Sequence, residues 1–176
     1  MPRVPPIDPT DASPDVHTVF AEIRETFGMV PNLFRTQAHV PALLRANWEK
    51  VKAVMMGGVL SRKVKEAIAV LVSKDNACPY CVAAHTAALR AVGVPEDEVA
   101  RILDDPDGAE FSPREKALIR LARQANTDPH RIPEALFEAA RAAGASDAEI
   151  VEALGVMEVF VAFNKFLDAL QVDVDF

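Results

Sequence analysis

No run of roughly four to eight residues in this chain alternates apolar with polar side chains between turn signals, whereas apolar residues recur at helical spacing in almost every segment. Such a chain buries its apolar surface helix against helix, so an all-α fold is expected. Alanine is abundant and glycine scarce inside the apolar segments, which suits helices. With 176 residues, 50% of them hydrophobic, the chain can bury one sizeable core, and the length fits one domain better than two.

Residues 1–14 carry Pro2, Pro5, Pro6, Pro9 and Pro14 and read as an extended arm; residues 15–176 read as the single helical domain. The first helix is expected from about Pro14 to Phe27, stopping at Gly28. Pro31-Asn32-Leu33-Phe34 opens a short one. Pro41 suits the first position of a helix through Met56, which Gly57-Gly58 end. Ser61 caps the next helix, where Val64, Ile68, Leu71 and Val72 form one stripe and the run from Ala67 to Val72 is apolar on every side. That helix is expected to be buried all round. After a turn at Asn76-Ala77, Cys78 caps a helix with Pro79 at its first position, running to Ala91-Val92-Gly93. Further helices are expected over about 95–104, 113–126, 133–143 and 147–170, with the most evident loop at Asp104-Asp105-Pro106-Asp107-Gly108.

A weak repeat runs at an offset of 51 residues: Ser61, Lys65, Ile68, Ala88, Gly93 and Glu98 match Ser112, Lys116, Ile119, Ala139, Gly144 and Glu149. The chain thus reads as a duplicated helical unit, one copy at about 59–104 and the other at about 110–155.

The net charge of -7, with 19 basic residues dispersed among 26 acidic ones, disfavours nucleic acid and anionic lipid as partners. Glu158, Asn164, Lys165 and Asp168 would each be costly in hydrocarbon, so the apolar stretch from Gly155 to Leu170 reads as a core helix and not a membrane span. The opening Met1-Pro2-Arg3-Val4-Pro5-Pro6 lacks the features of a secretory signal, and a cytoplasmic location is expected. The proline arm cannot fold alone, and the final helix is more apolar than one small domain needs. Both are expected to dock on neighbouring subunits of a homo-oligomer.

The two cysteines form Cys78-Pro79-Tyr80-Cys81, and His85 follows one turn later. In a reducing compartment a pair at this spacing reads as reversible, because a bond across two residues closes too short a loop to stabilise much. The thiolate is the reactive form, and an ordinary thiol, with pKa of about 8.5, is mostly protonated at neutral pH. At a helix start both sulfurs lie near unpaired backbone N–H groups and the positive dipole end, which favour the anion. Cys78, Cys81 and His85 share one helical face, so His85 can accept a proton from Cys81. Glu66 precedes the turn by eleven residues and His85 follows it by eight. If the two helices fold back on each other, at ~1.5 Å rise per residue their levels differ by roughly 5 Å, within reach of a direct or water-bridged contact. A desolvated carboxylate beside an imidazole can relay a proton. The repeat replaces Glu66, Cys78, Cys81 and His85 by Ala117, Pro129, Ile132 and Leu136, so this chemistry belongs to the first copy only.

Other readings stand beside this one. Cys78, Cys81 and His85 supply three metal ligands, with Glu66, His17, His39 or His130 as a fourth, but no further cysteine completes a structural tetrad. The cysteines can also be inert core residues, and Glu66 a solvated charge at a helix start. His39 and His130 sit in turn-like contexts. Trp48, Phe160, Phe163 and Phe166 read as core. Position alone leaves open which thiol attacks, since the N-cap site favours Cys78 and the neighbouring histidine favours Cys81.

Glu66, eleven intervening residues, Cys78-x-x-Cys81, three more and His85 resemble the motif of the alkylhydroperoxidase D-like group of the carboxymuconolactone decarboxylase superfamily. The flanks Val30-Pro31-Asn32-Leu33, Pro41-Ala42-Leu43-Leu44, Phe163-Asn164-Lys165 and Asp168-Ala169-Leu170 are similar to its peroxidase-related branch. The likeness covers nearly all of the chain beyond the arm. It implies an all-helical fold, homo-oligomers (dimer, trimer or hexamer) and a peroxidase cycle without cofactor or metal. Cys81 would attack the peroxide, Cys78 would resolve the sulfenic acid to a disulfide, and Glu66 with His85 would form the proton relay. A thiol protein or small dithiol would be the reductant. The family's histidine before the second cysteine is Tyr80 here, an auxiliary residue that cannot act as a base near neutral pH without a large pKa shift. The decarboxylase branch lacks the cysteine pair, which makes lactone decarboxylation an unsuitable reading. The expected activity is therefore thiol-dependent peroxide reduction, with a non-enzymatic redox-sensing or metal-binding oligomer as the alternative.

Overall fold

A computed structural model describes residues 1–176, and it is helical throughout with no strand. Nine α-helices follow in order: α1 Pro14–Phe27, α2 Asn32–Gln37, α3 Pro41–Val51, α4 Arg62–Asp75, α5 Pro79–Ala91, α6 Glu96–Asp104, α7 Pro113–Thr127, α8 Glu134–Ala142 and α9 Asp147–Leu170. Their boundaries follow local chemistry. Proline occupies the first turn of α1, α3, α5 and α7, where no backbone N–H is needed. Gly28 ends α1 with φ 78°, a left-handed conformation that glycine adopts without strain. The Ser61 hydroxyl accepts from Val64 N at the start of α4, and Ser112 and Ser146 form capping boxes with Glu115 and Glu149.

The centre of the molecule is α4. Every residue from Val64 to Ser73 is buried, because α5, α7 and α9 pack around this helix and leave it no solvent face. No helix is long and apolar enough to cross a membrane.

One expectation is corrected, and the arm takes a defined place. The helix from Pro41 stops at Val51 and not at Met56; residues Lys52–Met56 widen into a π turn closed by Gly57 N donating to Lys52 O, with Met55 buried in it. The proline arm lies on its own chain. Arg3 N donates to Leu170 O and Ile7 N to Arg35 O, Arg35 Nε returns a bond to Ile7 O, and the His39 ring bonds Pro5 O at 2.8 Å. Residues Pro9–Asp11 form a short 3₁₀ turn. These bonds hold the arm against α2 and the end of α9.

Candidate functional site

The reversal from α4 to α5 takes three residues. Ala77 makes it with φ 56°, a left-handed conformation that non-glycine residues adopt at some strain. Cys78 N then donates to Ser73 O at 2.9 Å, which fixes Cys78 as the N-cap of α5. The fold-back makes α4 and α5 neighbours, so Glu66 and His85 meet directly: His85 Nδ1 is 2.6 Å from Glu66 Oε2. Glu66 is 1% exposed and does not sit as a solvated charge at the helix start. Arg62, one turn earlier, donates through Nε to the other oxygen, Oε1, at 2.6 Å and through a terminal nitrogen to Met55 O. The carboxylate is thus divided between a guanidinium and an imidazole.

Burial alone would raise the Glu66 pKa and is the largest single influence, but His85 first and Arg62 second outweigh it together, holding the carboxyl below its ordinary value. An ionised Glu66 only accepts hydrogen bonds, so His85 Nδ1 donates to it and Nε2 is the ring nitrogen left to exchange a proton in the cavity. Phe160 holds the imidazole edge-on at a centroid distance of 4.2 Å.

His85, Glu66 and Arg62 open onto one cavity of about 450 Å³, lined by 21 residues of which 16 are hydrophobic, so it suits an apolar guest. Phe27, Phe34, Phe160, Phe163 and Phe176 supply its aromatic walls. Phe160 and Phe163 therefore serve the site as well as the core. Cys81 lines the cavity; Cys78 does not.

Both cysteines are free and buried. Each thiol shifts the pKa of the other. The Cys81 thiol, helped by its backbone N–H, draws Cys78 below the ordinary thiol range against burial and the Asp168 carboxylate. Its bond to Cys78, then burial, pushes Cys81 up. Of the two thiols, Cys78 is therefore the one whose ionisation the surroundings favour, as does its N-cap position. No hydrogen bond joins His85 to Cys81, although both line the cavity.

Tyr80 stands apart from the Glu66–His85 contact. Its hydroxyl accepts from Leu33 N at 3.1 Å, satisfying an unpaired N–H at the start of α2, and burial with the nearby Asp175 carboxylate pushes its pKa up, away from any role as a base. Asp175 Oδ2 accepts from Asn32 N at 2.7 Å, and the Phe176 ring closes edge-on over Tyr80 at 5.5 Å. His39 is tied to the arm, and no group of three or more His, Cys, Asp or Glu side chains is arranged to hold a metal ion.

Sequence reasoning missed Arg62 and Phe176, and also the buried pair Asn164 and Ser73, whose side chains bond at 3.0 Å. Arg62 had a signal, a base one helical turn from Glu66 on the same face. Asn164 had another, a carboxamide in the apolar run of α9. Phe176 had none, since only packing brings it to Tyr80.

The sequence profile of the carboxymuconolactone decarboxylase family matches residues 41–124 and 109–175. An alkyl hydroperoxide reductase of Mycobacterium tuberculosis is 36% identical over 101 residues, which is 57% of this chain and only 29% of that protein. Among solved structures, an alkylhydroperoxidase core, peroxidase-related protein from Ralstonia eutropha, superposes with a TM-score of 0.89 at 28% identity, over 99% of this chain and 92% of that one. The debrominase Bmp8, solved with 2,3,4-tribromopyrrole, shares the fold with a TM-score of 0.86 at 20% identity, over 98% and 91% of the two chains.

Proposed function

From the premise that the chain belongs to the carboxymuconolactone decarboxylase family, we propose that it is a thiol-dependent hydroperoxide reductase using Cys78 and Cys81, with Glu66 and His85 as its proton relay. The observation that carries this reading is the 2.6 Å contact between His85 Nδ1 and a buried Glu66 on the wall of the cavity that Cys81 lines. Access selects Cys81 as the attacking sulfur, since Cys78 has no face on the cavity.

In this cycle Cys78 ionises first and, as the thiolate, takes up the Cys81 proton. The Cys81 thiolate then attacks the terminal peroxide oxygen: an S–O bond forms, the O–O bond breaks, and the leaving alkoxide takes a proton from the relay at His85. Sulfur is oxidised by two electrons and the peroxide reduced to an alcohol. Cys78 next attacks the Cys81 sulfenic acid, forming the S–S bond and expelling hydroxide, which leaves as water with the Cys78 proton. An external dithiol, protein or small molecule, returns the pair to its reduced state. The alkyl hydroperoxide reductase and peroxidase-related relatives support this reaction class.

The test is stoichiometric and then catalytic. One equivalent of an organic hydroperoxide should remove two thiols per chain, and added dithiol should sustain hydroperoxide consumption. A single oxidation without turnover would make the pair a redox sensor. A homo-oligomer is part of the same proposal: Val59 and Val151 are 62% and 70% exposed, apolar side chains that a partner would cover. A monomer by light scattering at micromolar concentration would exclude it.

A further inference from the structure

Behind the thiol pair lies a buried polar chain that the relay does not use. Asn164 is the one carboxamide on the buried side of α9, among Val156, Val159, Phe160, Phe163 and Leu167, and it is 0% exposed. A carboxamide is retained in such a place only if its groups are bonded. Its Oδ1 accepts from Asn76 Nδ2 at 2.9 Å, and its Nδ2 donates to the hydroxyl of Ser73, also 0% exposed, at 3.0 Å.

The hydrogens do not all find oxygens. An amide nitrogen has two hydrogens and a hydroxyl one. Asn164 spends one on Ser73, whose oxygen accepts it, so the Ser73 hydrogen must go elsewhere. No protein oxygen takes it, and none takes the second hydrogen of Asn164. Cys78 N donates to Ser73 O at 2.9 Å, which sets Ser73 against the start of α5, and Cys81 follows one turn on; Asn164 and Ser73 both act to lower its pKa, against Cys78 and burial. None of Ser73, Asn76 and Asn164 lines the cavity, so the donors reach the sulfur from within the protein and leave its cavity face open.

We propose that Asn164 and Ser73 form a fixed donor pair that holds the Cys81 sulfur when it carries negative charge. The inference rests on the thiol-peroxidase reading for its purpose, although the donors act on the thiol whether or not peroxide is present. The pair favours ionisation of Cys81 over that of Cys78; only a proton moves in this step, and no electron does. Asp168 beside Cys78 works in the same direction, because a carboxylate disfavours a thiolate there. The other ionisable groups around the pair are His85, Glu66 and Arg62 at the cavity, and Tyr80, whose hydroxyl is engaged at α2. Asn76 is the positioning residue: by donating to Oδ1 it fixes which way round the Asn164 amide lies.

The experiment is a pH titration of the thiolate ultraviolet absorbance in Cys78→Ser, which leaves Cys81 as the single thiol. Adding Asn164→Ala or Ser73→Ala should raise the midpoint by roughly one pH unit each, the scale of one hydrogen bond to a charged group. Ser73→Thr, which keeps the hydroxyl, should restore it. Circular dichroism checks the fold, and if Asn164→Ala does not fold, the Ser73→Ala and Ser73→Thr comparison decides alone. Folded variants that titrate at the parent midpoint would overturn the proposal. No peroxide enters this measurement, so a shifted midpoint in a chain that consumes no hydroperoxide would refute the peroxidase reading while the donor pair stands.

Discussion

The two halves of the repeat share a scaffold and differ in what they bury. Val92, Gly93 and Val94 close α5 by donating to Ala88, Arg90 and Leu89, and Ala143, Gly144 and Ala145 close α8 by donating to Ala139, Arg141 and Ala140, the same pattern 51 residues on. Gly93 and Gly144 have φ of 87° and 89°. In the first half α4 is buried on all sides and carries Arg62 and Glu66 to the cavity; in the second, α7 buries one stripe, Leu118, Ile119, Leu121, Ala122 and Ala125. Capping and turn geometry suffice to keep the helices. Chemistry needs more, namely a helix withdrawn from water, where a charge is stabilised by chosen neighbours and not by solvent.

The sharpest break in this comparison is at the sulfur. Cys81→Ser should abolish hydroperoxide turnover, whereas Ile132→Val at the corresponding position should leave it intact; loss of turnover in both would mean that the second half also takes part in the reaction. Next in size is the relay. Glu66→Gln should lower kcat/KM roughly 10²-fold, the usual scale for a general acid-base group. His85→Ala should do similar damage, and the double variant little more, because the two act as one unit. Strictly multiplicative losses would show that they do not.

Acid should sharpen the contrast further. The folded pKa of Glu66 lies below its unfolded value of about 4.5, so its contribution is present above that pH and is lost as pH falls through the folded value. Acid unfolding curves of the parent and Glu66→Gln should therefore differ most near neutrality and converge below about pH 4.5. A gap that widens on acidification would reverse the sign and the argument.

In the second half the expected losses are of stability alone. Leu136, the counterpart of His85, is a partly buried side chain packed on the core, and Leu136→Ala should remove about 1–2 kcal/mol, somewhat under the usual cost of a fully buried leucine, with turnover per folded chain unchanged. The smallest effect belongs to a first-half residue that behaves like scaffold. Tyr80→Phe leaves Leu33 N without its acceptor, which should cost about 1 kcal/mol in denaturant unfolding and leave the pH profile of turnover in place. A changed profile would return Tyr80 to the chemistry.

Much of the molecule could be read along the chain. Proline at first turns, serine caps and glycine stops fixed the helix boundaries to within a few residues, because each acts on its own backbone neighbours. The one boundary that moved, at Val51, fell where a π turn leaves the 3.6-residue period on which the reading depends. Where the arm lies on its own chain could not be read in the same way. Composition shows that residues 1–14 need a surface to lie on, but the acceptors at Leu170 and Arg35 that provide it are distant in sequence.

The site divides along the same line. Cys78, Cys81 and His85 sit within one helix, where covalent geometry and the helical period alone put them on one face, and Glu66 is a single reversal away, so its level against His85 followed from residue rise. Tertiary packing decided the rest. It brought α9 against α4 and α5, so that Asn164 reached Ser73 and the thiols and Phe160 braced His85, and it set Phe176 against Tyr80. Local contacts repeat with a fixed period that a sequence displays directly. The meeting of residues some ninety positions apart, as at Ser73 and Asn164, depends on how whole helices fill a common core, and no single segment carries that information.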